Sequence, residues 1–183
     1  MPYLIIGQDS YIDLLRGRRD VSVCPSCKVA THPFAQGFVA KRKPKHDLCG
    51  GTEEIDIISP RFKTFLEEYS MGEVDYYPMP SGFFVIRPVR SVFLDLRGKR
   101  PMHTSFCETC GRMNAFHAAI FDGQDKILIG QGQVADMEIL RAAQQFGSAG
   151  HNGSPIIVGD GLGQAIKDAK FKGVVMNKVA QAK

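Results

Sequence analysis

No stretch of this chain is apolar over the length that a membrane span needs. Its first residues, Met1-Pro2-Tyr3-Leu4-Ile5-Ile6-Gly7-Gln8-Asp9-Ser10, lack the basic start, long apolar run and small-residue cleavage site of a secretory leader. Both absences predict a cytoplasmic protein with no membrane partner. Cysteine is scarce as well. Its five residues are an odd number, and four of them fall in two CxxC pairs, which excludes a secreted disulfide framework and suits metal ligands in a reducing compartment. No serine or cysteine lies in a recognisable nucleophile turn, and the five histidines, His32, His46, His103, His117 and His151, are scattered. The sequence therefore predicts a protein that is not an enzyme.

What is present is enough for a folded core. In 183 residues, 44% are hydrophobic, which fits a single domain over 1–183 that can divide into lobes 1–112 and 113–183. Lys and Arg number 23 against 19 Asp and Glu, a mildly basic balance concentrated in Lys41-Arg42-Lys43-Pro44-Lys45. A run of this kind can attract phosphates or an acidic protein surface, and its plainer reading is a solvated loop. No aromatic residue is interleaved in it for base stacking.

The chemistry-bearing residues are Cys24-Pro25-Ser26-Cys27 and Cys107-Glu108-Thr109-Cys110-Gly111. Two thiols separated by two residues form a knuckle that points both sulfurs at one tetrahedral ion. One knuckle supplies half of a structural site, so Cys24, Cys27, Cys107 and Cys110 are expected to meet around one zinc ion. His46-Asp47-Leu48-Cys49 has the same spacing, and a local site of Cys24, Cys27, His46 and Cys49 is the rival arrangement. With four protein ligands the ion has no open position and is structural.

Ile55-Asp56-Ile57-Ile58 reads as a strand, and Ser59-Pro60 as a helix start whose face is Phe62, Phe65, Leu66 and Tyr69, with Gly72 at its stop. Val74 to Pro78 follows as a strand, and Gly82 to Leu96 as a hairpin or bent ribbon broken near Pro88. Short elements are also expected at Tyr3 to Ile6, Tyr11 to Leu15, Val21 to Val23 and Phe38 to Ala40. Further on, strands are expected at Phe116 to Phe121 and Lys126 to Ile129 around an Asp122-Gly123 turn, then a helix over Val134 to Phe146 and a flexible loop over Gly147 to Ser154. Gly130-Gln131-Gly132-Gln133-Val134-Ala135 reads as G-x-G-x-x-A before that helix, the local context of a dinucleotide turn, although no acidic residue follows at the proper distance. The chain closes with a strand over Pro155 to Val158, a cap at Asp160, a helix face of Leu162, Ala165, Ile166 and Ala169, and a strand at Gly173 to Met176. Shifted by one hundred positions, Ile57, Ile58, Phe62, Leu66 and Val74 fall on Ile157, Val158, Leu162, Ile166 and Val174, which suggests a repeated strand-helix-strand unit. The expected fold is thus α/β or α+β, with a mixed sheet built from two such units and a zinc-ribbon-like site.

The order of these parts, with Cys24 and Cys27 early, then a strand-helix-strand unit, then Cys107, Cys110, Gly111 and Arg112, and a last helix before Lys172-Gly173-Val174, resembles the myxobacterial double-CxxCG motif family. The similarity runs from about Val21 to Val179. It implies an immunity protein, whose partner is a cognate toxin that it neutralises by binding. The other function considered is a zinc-ribbon nucleic-acid binder that uses Lys41, Arg42, Lys43 and Lys45, with affinity that falls steeply in salt.

Overall fold

Ser59 and Pro60 start the first helix as their chemistry dictates. The Ser59 hydroxyl accepts from the Phe62 N–H at 3.2 Å, and Pro60 occupies a first-turn position where no N–H is needed. The helix buries Phe62 and Leu66 completely, half-buries Phe65 and leaves Tyr69 44% exposed. Full burial of each of the first two contributes about 1.5–3 kcal/mol. Phe171 closes the face, its ring centroid 4.5 Å from Phe62 and 5.0 Å from Phe65.

The structure, a computed structural model, describes residues 1–7, 24–26, 43–50, 56–95, 106–110, 112–113, 115–116, 128–129, 133–143, 146–148 and 151–181. In chain order, the first half holds β1 (Tyr3–Gly7), β2 (Leu48–Gly50), β3 (Asp56–Ile58), α1 (Pro60–Tyr69) and β4 (Val74–Pro78). A ribbon follows as β5 (Phe84–Pro88), β6 (Ser91–Val92) and β7 (Leu94–Asp95). The middle of the chain supplies β8 (Phe106–Cys107), β9 (Arg112–Met113), β10 (Ala115–Phe116), β11 (Leu128–Ile129) and β12 (Ile139–Ala142). The last part is β13 (Phe146–Ser148), β14 (His151–Gly153), β15 (Ile156–Val158), α2 (Asp160–Asp168), β16 (Val174–Lys178) and β17 (Ala180–Gln181).

Two larger sheets carry the fold. One is ordered β2-β3-β5-β4, and the other β16-β1-β15-β12-β6. Most pairings are antiparallel, with β6 on β12 and β17 on β11 parallel, so the protein is α+β with a mixed sheet, and the described residues hold two helices. Strand periodicity divides the apolar residues between two cores. Tyr3, Ile5, Ile139 and Ile156 face a core shared by both sheets and both helices, with Leu48, Ile58, Phe62, Leu66, Leu162 and Ile166. Their alternates Leu4, Leu140 and Ile157 face a second core with Val92, Leu94, Ile129 and Val179. Among the described residues, no helix is long and apolar enough to cross a membrane.

Both strand-helix-strand units expected from the sequence are present, at β3-α1-β4 and β15-α2-β16, and Gly72 follows the first helix with a φ of +128°. The stretch from Phe84 to Asp95 is the bent-ribbon form, passing from the first sheet through β6 in the second to β7 in a third. Three expectations are corrected. The helix over Val134 to Phe146 is instead a turn at Asp136 and Met137 followed by β12 and β13. Residues that favour helices in isolation here alternate between two cores, Ile139 in one and Leu140 in the other, and burial on both faces overrides propensity. The loop over Gly147 to Ser154 contains an antiparallel pairing, β13 with β14. Asp160 is the first residue of α2 rather than its cap, which is Gly159. The Asp160 carboxylate instead meets the terminal ammonium of Met1 at 2.9 Å, and that hydrogen bond holds it below the usual carboxylate range. The Asp122-Gly123 turn and the elements expected at Tyr11 to Leu15, Val21 to Val23 and Phe38 to Ala40 lie outside the described residues; β10 pairs with β13, and β11 with β7 and β17.

Candidate metal centre

The second CxxC pair is presented by a hairpin. Cys107 ends β8, Glu108, Thr109 and Cys110 form the turn, and Cys107 faces Arg112 across the ladder. Cys24 arrives from far away in sequence, followed by a turn at Pro25 and Ser26. The sulfurs of Cys24, Cys107 and Cys110 all lie within 4.8 Å of one another, and Cys24 Sγ is 3.7 Å from Cys107 Sγ. Cys24 and Cys107 are buried and Cys110 is half-buried.

The spacing discriminates between chemistries. A disulfide needs about 2.05 Å between sulfurs, so the Cys24 and Cys107 thiols are not bonded. Four thiolates about 2.3 Å from a tetrahedral zinc ion stand about 3.8 Å apart, the separation that Cys24 and Cys107 already have. Three soft donors in a largely buried cluster therefore fit a thiophilic ion such as Zn²⁺. Cys27, the fourth expected ligand, lies outside the described residues.

Among the described residues, the group that forms is Cys24, Cys107 and Cys110, and it does not include His46 or Cys49; Cys27, shared by both arrangements, lies outside the described residues. Cys49 sits in the middle of β2, fully buried, with its thiol directed at the backbone oxygen of His46 at 3.7 Å. Of the basic run, Lys43 and Lys45 are exposed and Pro44 is buried, while Lys41 and Arg42 lie outside the described residues. So do His32, His103, His117 and both glycines of the G-x-G-x-x-A motif, but the residues that end that motif, Gln133 to Ala135, do not open a helix. A dinucleotide turn depends on a helix N-terminus for its phosphate, and this one has none.

Sequence reasoning missed one polar site. Asp56, Arg87, Arg141 and Ser154 line a cavity of about 10 Å³ together with Ile86, Pro88 and Ile156. This is room for about one water molecule. Ser154 is buried and its hydroxyl has no hydrogen-bond partner among the described residues. Burial pushes the Asp56 carboxyl up to about 7. The signal was readable: in the alternating pattern of Ile55 to Ile58, Asp56 shares its face with the fully buried Ile58, so a carboxylate stands on the core side of a strand.

No protein-family model matches the chain, and no curated protein matches it.

Proposed function

We propose that this protein is a zinc-stapled immunity protein that neutralises a cognate bacterial toxin by binding and occluding it, without chemistry of its own. The observation that carries the metal part is the meeting of Cys24 with Cys107 and Cys110, thiols 83 residues apart in the chain. Cys27 completes the set, so that two knuckles in a zinc-ribbon-like arrangement hold one ion in a closed coordination shell. Bound zinc supplies a cross-link between distant segments and no activated water, because no coordination position is left open. The partner part rests on the order of the CxxC motifs and the strand-helix-strand units around them. A mildly basic surface suits an acidic patch on the toxin.

The test is a survival assay in which the toxin encoded beside this protein is expressed in a sensitive host with and without it. Rescue with a co-purifying complex is expected; a toxin that kills equally in both cultures overturns the immunity reading and leaves the metal reading untouched. Exposure of Lys43 and Lys45 favours the second reading, nucleic-acid binding. In that case affinity for a nucleic-acid duplex should fall steeply between low and physiological salt.

A further inference from the structure

The two larger sheets share more than a helix connection. In the first, Ile58, Ile57 and Asp56 of β3 stand opposite Phe84, Val85 and Ile86 of β5; in the second, Val158, Ile157 and Ile156 of β15 stand opposite Tyr3, Leu4 and Ile5 of β1. On the other side of the same central strands, Val74 faces Pro88 and Pro78 faces Phe84, while Val174 faces Gly7 and Lys178 faces Tyr3. The flanking strands match too: Leu48, Cys49 and Gly50 pair with Ile58, Ile57 and Asp56, as Ile139, Leu140 and Arg141 pair with Val158, Ile157 and Ile156. A shift of 100 residues for the strand-helix-strand unit, with 81 for the central strand and 91 for the flanking strand, carries every pair of one set onto a pair of the other. A one-residue slip anywhere would have reversed the buried faces.

Chain order then shows where each central strand comes from. The first half runs β1, Cys24, β2, β3, α1, β4, and the second runs β5, Cys107, β12, β15, α2, β16, with the additional short strands inserted after β5, Cys107 and β12. Leu15-Arg16-Gly17-Arg18-Arg19 follows β1, and Leu96-Arg97-Gly98-Lys99-Arg100 follows β5, again 81 residues apart. Each half therefore opens with a strand that is inserted into the sheet of the other half.

We propose that the chain is two copies of one strand-knuckle-strand-strand-helix-strand unit, residues 3–78 and 84–178, fused in tandem and bound to each other as a strand-exchanged dimer. The face that each copy presents is built for a second copy of the same unit. A strand-helix-strand crossover leaves a slot between its two parallel strands, and in each copy the partner's first strand fills it and satisfies the backbone groups on both sides. The remaining contacts are reciprocal, as a two-fold interface requires. The loop after α1 lies on β12, where a Cβ on Gly72 would come 3.0 Å from the Ile139 oxygen; the loop after α2 lies on β2, where one on Gly173 would come 2.6 Å from the Leu48 oxygen. Leu48 and Ile139 are counterparts, both fully buried, and so are Ile5 and Ile86, each 2% exposed. Cys49 corresponds to Leu140, and both positions are fully buried.

Among the matched strands, the two sides differ in chemistry where β1 meets β2. A Cβ on Gly7 would fall 2.3 Å from the Gly50 nitrogen, so two glycines bring β1 and β2 into backbone contact. Their counterparts are Pro88 and Arg141, which line the small cavity with Asp56, itself the counterpart of Ile156. One side of the interface is closed by glycine and the other is filled with polar groups.

The experiment uses the full chain with a protease site placed in the turn at residues 79–83. Ile5→Cys with Met176→Cys joins β1 to β16, and Ile86→Cys with Tyr76→Cys joins the corresponding positions of β5 and β4. Facing residues of an antiparallel pair stand about 4.5–5.5 Å apart at Cα, within disulfide reach. After folding, mild oxidation and cleavage, peptide mapping by mass spectrometry is expected to find both cross-links, with yields within about twofold, because the two sites are equivalent. Absence of the link between positions 5 and 176, while that between 76 and 86 forms, overturns the exchange. Should the cysteine variants fail to fold, the cleaved parent decides the matter: its halves should elute together as one species without denaturant, and two separate folded species would overturn the proposal. The proposal stands on strand register and survives failure of either the zinc or the toxin reading.

Discussion

Asp56 stands on the core side of β3, with the guanidinium-bearing Arg87 and Arg141 lining the same cavity, and burial moves its carboxyl from 3.8 to about 7. The folded state therefore keeps a proton over a range in which the unfolded chain has lost it. Stability from this group is fully present below about pH 4 and is lost as pH rises to about 7. The loss is on the order of 4 kcal/mol, since each tenfold difference in proton affinity between the two states is worth about 1.36 kcal/mol. Asp56→Asn should flatten the dependence of the urea midpoint on pH across this window and raise it at pH 8. If the variant keeps the slope of the parent, the carboxyl is not its source. At the cysteines the expectation is different in kind. Cys107→Ser should release the metal, read by elemental analysis, and lower the melting temperature by about 10 °C or more, since each kcal/mol is worth about 2–4 °C in a chain of this size. Unchanged metal content and melting temperature would remove Cys107 from the ligand set.

Among the elements, α1 shows how far local chemistry reaches. Ser59 was legible as its cap, but the same hydroxyl also donates to Asp47 Oδ1 at 2.7 Å, and Asp47 Oδ2 accepts from the Lys172 N–H at 2.9 Å. One side chain thus joins β2, α1 and the loop before β16. Ser59→Ala should cost about 1–2 kcal/mol, the upper part of the range for a lost cap, and Ser59→Gly should recover little of it because the bond to Asp47 stays lost. A loss below about 0.5 kcal/mol in denaturant unfolding would mean that water replaces both bonds. The two helices and the strands beside them could be read from caps and periodicity, because those signals are local. The strand at β12 could not. Met137, Glu138, Ile139 and Leu140 carry a helical composition, and only the presence of a core on each side makes alternation the better solution. The grouping of Cys24 with the second knuckle was legible in the spacing of thiols, whereas the Asp56 cavity required knowledge of which strand crosses which. His46 and Cys49 have ligand spacing, but the position of Cys49 in the middle of β2, facing Ile57, could not be read from that spacing.

For the whole molecule, strand exchange determines how the halves respond to damage. In an ordinary two-lobed chain, a cavity in one lobe unfolds that lobe first and leaves the other intact. Here β1 belongs to the first half in sequence and to the second sheet in space, and β5 is placed in the converse way. Loss of either strand opens the slot in one sheet and removes its own half's link to the other, so the halves cannot melt separately. Ile5→Ala and Ile86→Ala remove counterpart side chains, each 2% exposed and both in the core shared by the two sheets. Each should cost about 2–5 kcal/mol, with Ile86→Ala below Ile5→Ala because Ile86 faces Asp56 at the small polar cavity while Ile5 faces Ile156. Thermal unfolding of either variant should remain a single transition by circular dichroism, with the calorimetric and van't Hoff enthalpies equal. A biphasic melt in the Ile5→Ala chain, with one sheet surviving after the other has gone, would show that each half holds its fold unaided and that the exchanged strands are incidental to it.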